Sequence, residues 1–365
     1  MGWEIEELRK RHNVYVLSFC SKNAEKLFQS YPEPDKCARV RISTIKRIFN
    51  ILLHPWISPM FATRRCRKFE SLIKEFVEKY HIDFVQAEYA AMGQYIDFIH
   101  KINPSIPCNL VLHDVTYQSY FRKEQTLGGL KKVMFSFLTN MVKRDEMRYV
   151  ISAENILVFC EKDAKLVQSL YHKPAIAINT FFDVETALKK GAEREYASKK
   201  QHKICFLGQM GREENHVAAM RLLDIVTGIS NITTLIIGSN PLPELVKRQQ
   251  NNVIITGFVD DPDQLLESCD LAVFPLTLGA GIKIKVLHCM ALGIPVITTS
   301  VGAEGIDEMG KAICIAETDQ EFASVIEQCI GDSTKLRDMG RKEMDLIKEH
   351  FLWKKTQTIL NSLYR

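Results

Sequence analysis

Short β-branched runs alternate with longer helical stretches along this 365-residue chain, and no other feature constrains the fold as much. VYVLSF (14–19), DFVQAEY (83–89), CNLVLHD (108–114) and NILVFC (155–160) are too short for helices. KICFLG (203–208), TTLIIG (233–238), NVIITG (252–257), DLAVFP (270–275) and PVITTS (295–300) repeat the pattern. Helical periodicity fills the gaps, as in 213–227, 262–269 and 281–292. Strand–helix alternation predicts parallel sheets covered on both faces.

The chain is too long for one ordinary core and suits two domains. The charged stretch DVETALKKGAEREYASKKQHK (183–203) carries no strand signal, so the joint is expected near 180–200. The expected fold is α/β, with two doubly wound Rossmann-like domains facing a cleft, at 1–190 and 191–350. A nucleotide-type domain usually opens with a strand and a Gly-rich turn. Here Met1 leads straight into a helical pattern, so the first domain is expected to lack its first strand.

Composition excludes several classes. No apolar run approaches the ~18–20 residues of a membrane span. The start MGWEIEELRKRHN has no signal-peptide core, and Glu6 stands where myristoylation wants Ser or Thr. The ten cysteines form no CxxC and no Cys/His cluster, which predicts reduced core residues in a cytoplasmic protein. The net charge of +4 is unevenly placed: Lys36 to Phe69 holds nine Lys/Arg and no Asp/Glu. That asymmetry suggests a local anionic partner rather than a nucleic acid.

The segment GAGIKIKVLHCMALGIPVITTSVGAEG (279–305) carries the strongest chemical signal. A Gly-rich turn entering a helix offers free backbone N–H groups and the positive end of the helix dipole, which suits phosphate. Gly279 and Gly281 allow close backbone approach. Lys283 and Lys285 are cations in a first turn, costing about 0.3–1 kcal/mol each unless an anion offsets them. They are either a phosphate clamp or a solvated pair on an ordinary helix. His288 is either a partner for a sugar hydroxyl or a helix histidine without a ligand. In FLGQMGREENH (206–216), Arg212 sits in a similar strand-to-helix loop, as a phosphate contact or a solvated arginine. His113 and Asp114 stand at the carboxyl end of a strand, where chemistry usually sits; a structural His–Asp cap is the alternative.

RVRISTIKRIFNILLHPW (39–56) places Ile45, Ile48, Phe49, Leu52 and Leu53 on one helical stripe, with Arg41, Lys46 and Arg47 largely off it. Either it docks on anionic lipid, or it covers the first sheet with a basic polar face.

Together these residues resemble the retaining glycosyltransferases of family 4, which have the two-domain GT-B fold. FLGQMGREENHVAAMRLL, VIITGFVDDPDQLLESCDLAVFP and GAGIKIKVLHCMALGIPVITTSVGAEGI resemble the donor domain. NLVLHDVTYQSYFRK and FVQAEYAAMGQY resemble the acceptor domain of bacterial surface-polysaccharide sugar transferases. HFLWKKTQTILNSLY resembles the last helix, which in this fold crosses back to the first domain, so 351–365 is expected to pack there.

The resemblance implies a donor site at Gly208, Gln209, Arg212, Gly257, Gly279, Ala280, Gly281, Ile282, Lys283, Lys285, His288 and Glu304, with His113, Asp114 and Lys285 catalytic. It also implies departures. The family's two glutamates, with seven residues between them, fall on Ala280 and His288; the second typically bonds the ribose. Gln209 replaces an arginine, and no lysine follows it nearby, so Lys283 and Lys285 are expected to meet the diphosphate. The implied reaction moves a sugar from a nucleoside diphosphate to a hydroxyl of a polysaccharide, lipid-linked or protein-linked acceptor. Neither cofactor nor metal is expected. The site is placed in the cytoplasm, with residues 36–69 at the inner face of the cell membrane. A Glu at 288 is expected to preserve or improve donor affinity. The alternative is a GT-B-shaped subunit without transfer activity, partner to another transferase. A nucleotide-sugar epimerase ranks below both.

Overall fold

The structure, a computed structural model, describes residues 2–20, 36–179, 182–196, 200–307 and 310–364. The chain divides into two compact units: Met1–Ile178 with Tyr364, and Asn179–Leu363. All assigned strand pairings are parallel apart from one isolated bridge.

In the first unit, β1 (Val16–Phe19) pairs with β2 (Cys37–Val40). A four-stranded sheet follows in the order β3 (Val85–Glu88), β4 (Cys108–Leu112), β5 (Asn155–Val158) and β6 (Ala175–Ala177). Every residue of β4 is buried, as expected for a strand covered on both faces. Ile96, Ile99, Val142 and Val150 pack around it from the helices Ile96–Ile102 and Gly129–Ser152.

In the second unit, β7 (His202–Leu207), β8 (Ile232–Ile237), β9 (Val253–Gly257), β10 (Leu271–Phe274), β11 (Val296–Thr298) and β12 (Cys314–Ile315) lie in the order β12-β11-β10-β7-β8-β9. The winding reverses between β7 and β10, whose register pairs Ile204 with Leu271 and Cys205 with Ala272. A crevice therefore opens outside the carboxyl ends of these two strands, the usual ligand position in such sheets.

Nine strands fall on the nine runs read from the sequence. β2, β6 and β12 went unread because CARV, AIA and CI each hold only one β-branched residue and form no apolar run of strand length. The stretch expected to hold the joint contains a helix, Val184–Ala192. Asp183 caps it by accepting from the Thr186 N–H, and Val184, Ala187 and Leu188 are buried in the second core. Gly191 lets it run against the Ala291 carbonyl, where a Cβ would strike. Residues 197–199 of that stretch lie outside the described residues. The units divide at Ile178/Asn179, ahead of the expected 190/191. The last helix, Trp353–Leu363, clusters with the second unit, where Asn179 N–H donates to Thr356 Oγ1 at 2.7 Å; Tyr364 clusters with the first unit. None of the ten cysteines is in a disulfide, and seven are buried.

Candidate functional site

The carboxyl ends of β7 and β10 carry most of the donor residues read from the sequence. After β7 the chain turns through Gly208 and Gln209 into the helix Glu213–Ile225. Gly238, at the end of β8 with φ +144°, approaches the Gly208 carbonyl so closely that a Cβ there would overlap it. Only glycine fits. After β10, Leu276 to Lys283 lead into the helix Ile284–Ala291. Thr299 Oγ1 donates to the Leu276 carbonyl at 2.6 Å, tying this loop to β11. Gly279 and Gly281 take φ of +102° and +67°, the left-handed region that favours glycine.

Lys285 sits over the switch point. Its ammonium lies 4.7 Å from the Phe206 ring of β7 and 5.7 Å from the Phe274 ring of β10, and it donates to Asn215 Oδ1. Asn215 in turn donates from Nδ2 to the Gln209 carbonyl at 3.0 Å. One lysine thus touches both strands and, through Asn215, the first loop. Burial is the main cause that pulls its ammonium down to about 7, and Lys283 adds to it. Lys283 donates to the Gly281 carbonyl at 2.5 Å and approaches Glu304 Oε2 at 3.9 Å. Glu304 is buried, so a carboxylate from beyond β11 stands beside the Lys283 ammonium at the start of this helix.

Two predicted contacts point elsewhere. Arg212 is largely exposed and pairs with Glu214 at 2.7 Å. His288 Nε2 meets Asp263 Oδ1 at 2.6 Å, and Lys190 Nζ meets Asp263 Oδ2 at 2.6 Å. Burial works to raise the Asp263 carboxyl, but its bonds to Lys190 and His288 outweigh that and hold it below its ordinary value. Asp263 is the last residue of Asp261-Pro262-Asp263, an Asp-x-Asp spacing passed over in the sequence. Its two oxygens are already engaged by Lys190 and His288, and Asp261 Oδ1 accepts from the Asp263 N–H at 3.1 Å.

A cavity of about 300 Å³ opens beside these groups, lined by Gly208, Gln209, Gly238, Phe258, Val259 and Pro262. Gly257 ends β9 there and Phe258 follows it, largely exposed. A flat apolar wall beside backbone N–H groups suits an aromatic base. A larger depression of about 660 Å³, around Arg194, Tyr196 and Arg341, includes none of the residues named from the sequence.

In the first unit, His113 and Asp114 follow β4. His113 Nε2 meets Glu88 Oε2 at 2.7 Å, and its ring stacks on Tyr89 at 3.8 Å. Phe159 closes its edge at 5.0 Å. Tyr89 takes φ +71° and ψ 145°, a region rare for any residue but glycine. Gln86 donates to Glu88 at 2.5 Å and to the buried Glu4 at 2.8 Å, and the Tyr364 hydroxyl donates to Gln86. Burial first, then Glu88, pushes the Glu4 carboxyl well above its ordinary value. Asp114 precedes the helix Thr116–Gln125, and a more distant carboxylate reaches its first turn. Buried Glu146 caps it, accepting from the Thr116 and Tyr117 N–H groups at 2.8 and 3.0 Å.

Glu88 and Tyr89 were missed as site residues. The signal was an acidic–aromatic pair ending a strand, within FVQAEY. Among the described residues, His100, Cys108 and Glu154 bring three ligand-type atoms within 4.8 Å of one another. They lie at the amino end of β4, opposite His113, and burial pushes the Cys108 thiol up to about 12, against thiolate ligation.

Residues 201–332 match the family described as glycosyl transferases group 1. No curated protein matches the chain in sequence. Solved structures do match its fold. Sucrose-phosphate synthase from Thermosynechococcus elongatus is 14% identical with a TM-score of 0.72, covering 100% of this chain and 91% of that one. Anabaena HepE in complex with UDP and glucose is 15% identical with a TM-score of 0.64, covering 96% and 99%. A glycosyltransferase from Rickettsia africae is 13% identical with a TM-score of 0.62, covering 97% and 98%. The fold is the GT-B fold of these neighbours, and residues 201–332 of the second unit are the part that matches the group 1 glycosyl transferases.

Proposed function

We propose that this protein moves a sugar from a nucleoside diphosphate sugar to a hydroxyl acceptor with retention, as a family 4 hexosyltransferase. The observation that carries the reading is Lys285 at the β7/β10 switch point, between two Gly-rich turns and inside the group 1 region. A UDP and glucose complex is recorded for HepE, which supports the same donor class here.

In this reading the base takes the cavity at Phe258 and Pro262. The diphosphate lies against the Gly279–Lys283 turn and the Gly208–Gln209 turn. As the bond to the sugar breaks, charge grows on the leaving diphosphate, and Lys283 and Lys285 stabilise it from fixed positions. No divalent metal is needed for that step. His113, oriented by Glu88 and Tyr89, serves the sugar and the acceptor hydroxyl, with Asp114 beside it. The acceptor class is a polysaccharide, lipid-linked or protein-linked glycan made in the bacterial cytoplasm.

A thermal-shift screen over nucleoside diphosphate sugars, with EDTA present, tests the reading. A true donor at a hundredfold excess over Kd stabilises by about 2.7 kcal/mol. No shift with any donor, or an equal shift in Lys285→Met, overturns it.

One observation favours a second reading, a subunit that supports another transferase. Ala280 stands in place of an acidic residue, and His288 is engaged by Asp263. Donor binding without transfer or hydrolysis would select it.

A further inference from the structure

The helix Thr44–Leu53 is turned inside out. Its polar Asn50 is buried and donates to the Arg65 carbonyl at 2.8 Å, while Ile45, Ile48, Phe49, Leu52 and Leu53 face solvent. With Trp56 just beyond, these six side chains are 54–70% exposed. The stripe therefore does not cover the first sheet. An apolar patch of this size on a soluble surface marks an interaction site.

A second stripe lies on the helix Gly129–Ser152. Leu130, Val133, Met134 and Phe137 follow i, i+3, i+4, i+7 spacing and are 64–75% exposed. The later turns bury Met141, Val142, Tyr149 and Val150 on the sheet, so the first two turns run free of it. The two helices share a neighbour, the short helix Pro59–Ala62, which packs against both. Arg144 of the long helix donates to the Trp56 carbonyl, and Asp145 accepts from the Ser58 N–H at 2.6 Å.

Charge decides the occupant. Residues 36–69 hold nine Lys/Arg and residues 126–144 hold four, and neither span contains Asp or Glu. A second copy of this chain would set cations against cations across a twofold interface. An anionic lipid surface matches both the charge and the apolar stripes. No helix among the described residues is long and apolar enough to cross a membrane, so the helices lie on the surface rather than span it.

We propose that the first unit seats on an anionic phospholipid surface through both stripes, with Ile48, Phe49, Leu52 and Trp56 from one helix and Met134 and Phe137 from the other entering the acyl boundary. The proposal is independent of the donor-site reading. Joined to the transferase reading, it narrows the acceptor to molecules presented at a lipid surface.

Flotation of the full chain with phosphatidylcholine vesicles, with and without phosphatidylglycerol, tests it. Binding is expected only with phosphatidylglycerol, weakening roughly tenfold or more in high salt. The double variants Phe49→Glu/Leu52→Glu and Met134→Glu/Phe137→Glu, both at exposed positions, are each expected to lose it at unchanged circular dichroism. Tryptophan emission is expected to shift blue on binding in the wild type alone. Equal binding to neutral vesicles, no binding to either, or binding unaffected by either double variant overturns the proposal. So does a concentration-dependent dimer that both variants abolish. Donor-induced thermal shifts in the same samples keep this result separate from the fate of the transferase reading.

Discussion

His288 Nε2 lies 2.6 Å from Asp263 Oδ1, and the same carboxylate holds Lys190. An ionised Asp263 accepts only, so Nε2 carries the proton. In the neutral ring Nδ1 is then an acceptor, which is what a hydroxyl needs from a carboxylate. Lys190 and Asp263 fix the ring as a partner fixes a metal-bound or catalytic histidine. The histidine at this position is thus supported from two other helices.

This pairing reverses the expectation for His288→Glu. A carboxylate at 288 would face Asp263, with a repulsion of about 1–4 kcal/mol at 4 Å across the surface-to-water range of dielectric. The single variant is expected to lower both thermal stability and donor affinity. Adding Asp263→Asn should restore both. Calorimetric titration with a bound nucleotide sugar, across the full double-mutant cycle, checks the coupling.

Lys285→Met fills the slot between Phe206 and Phe274 without charge. Transfer is expected to fall about 100-fold or more while the fold survives. The lysine's folded value of about 7 lies below the ordinary 10.5. Between those values the unfolded chain holds more protons than the folded one, so wild-type stability rises with pH through that window. The Met variant should lose that rise. Melting curves from pH 7 to beyond pH 9 show both slopes. Diphosphate binding above pH 7 should take up a proton, read by calorimetry in two buffers of different ionisation heat.

Glu146 gives the opposite sign in a lower window. Burial pushes its carboxyl up to about 7 from 4.5, despite the Tyr171 hydroxyl and two backbone N–H donors. Its stabilising contribution is complete below 4.5 and is lost as pH rises through 7. Glu146→Gln keeps one acceptor oxygen, enough for either the Thr116 or the Tyr117 N–H but not both, since each is accepted by a different carboxylate oxygen. It should flatten the fall in stability across that window, measured by urea denaturation at stepped pH.

Tyr89→Gly separates strain from function. The backbone there favours glycine, and relief is worth about 1–3 kcal/mol. The loss of the ring on His113 works against it. Thermal stability should hold or rise while transfer falls, because His113 loses the surface that orients it. A parallel fall in both would show that the stack is structural only.

Much of this was legible before any coordinates. The central strands β4 and β10 read correctly because burial on both faces leaves few compositions other than an apolar run. The Gly-Ala-Gly turn and its lysines announced the switch-point loop. What stayed hidden depended on contacts distant in sequence. Asp263 is 25 residues from His288 and Lys190 is further still, and no periodicity links them. The apolar stripe of residues 45–53 was visible, but a helical period does not say which face meets the core. Asn50 was the one clue. The role of 184–192 was obscured because its lysines hide three core positions.

Lys285 touches β7 through Phe206 and β10 through Phe274 at once. A strand that gains or loses one residue turns every later side chain to the opposite face. Insertions in the loops after these strands would leave the ammonium where it is. A single insertion within either strand would carry one aromatic ring away from it. Evolutionary drift in this half of the molecule is therefore channelled: the turns are elastic in length, and the two central strands behave as a fixed ruler.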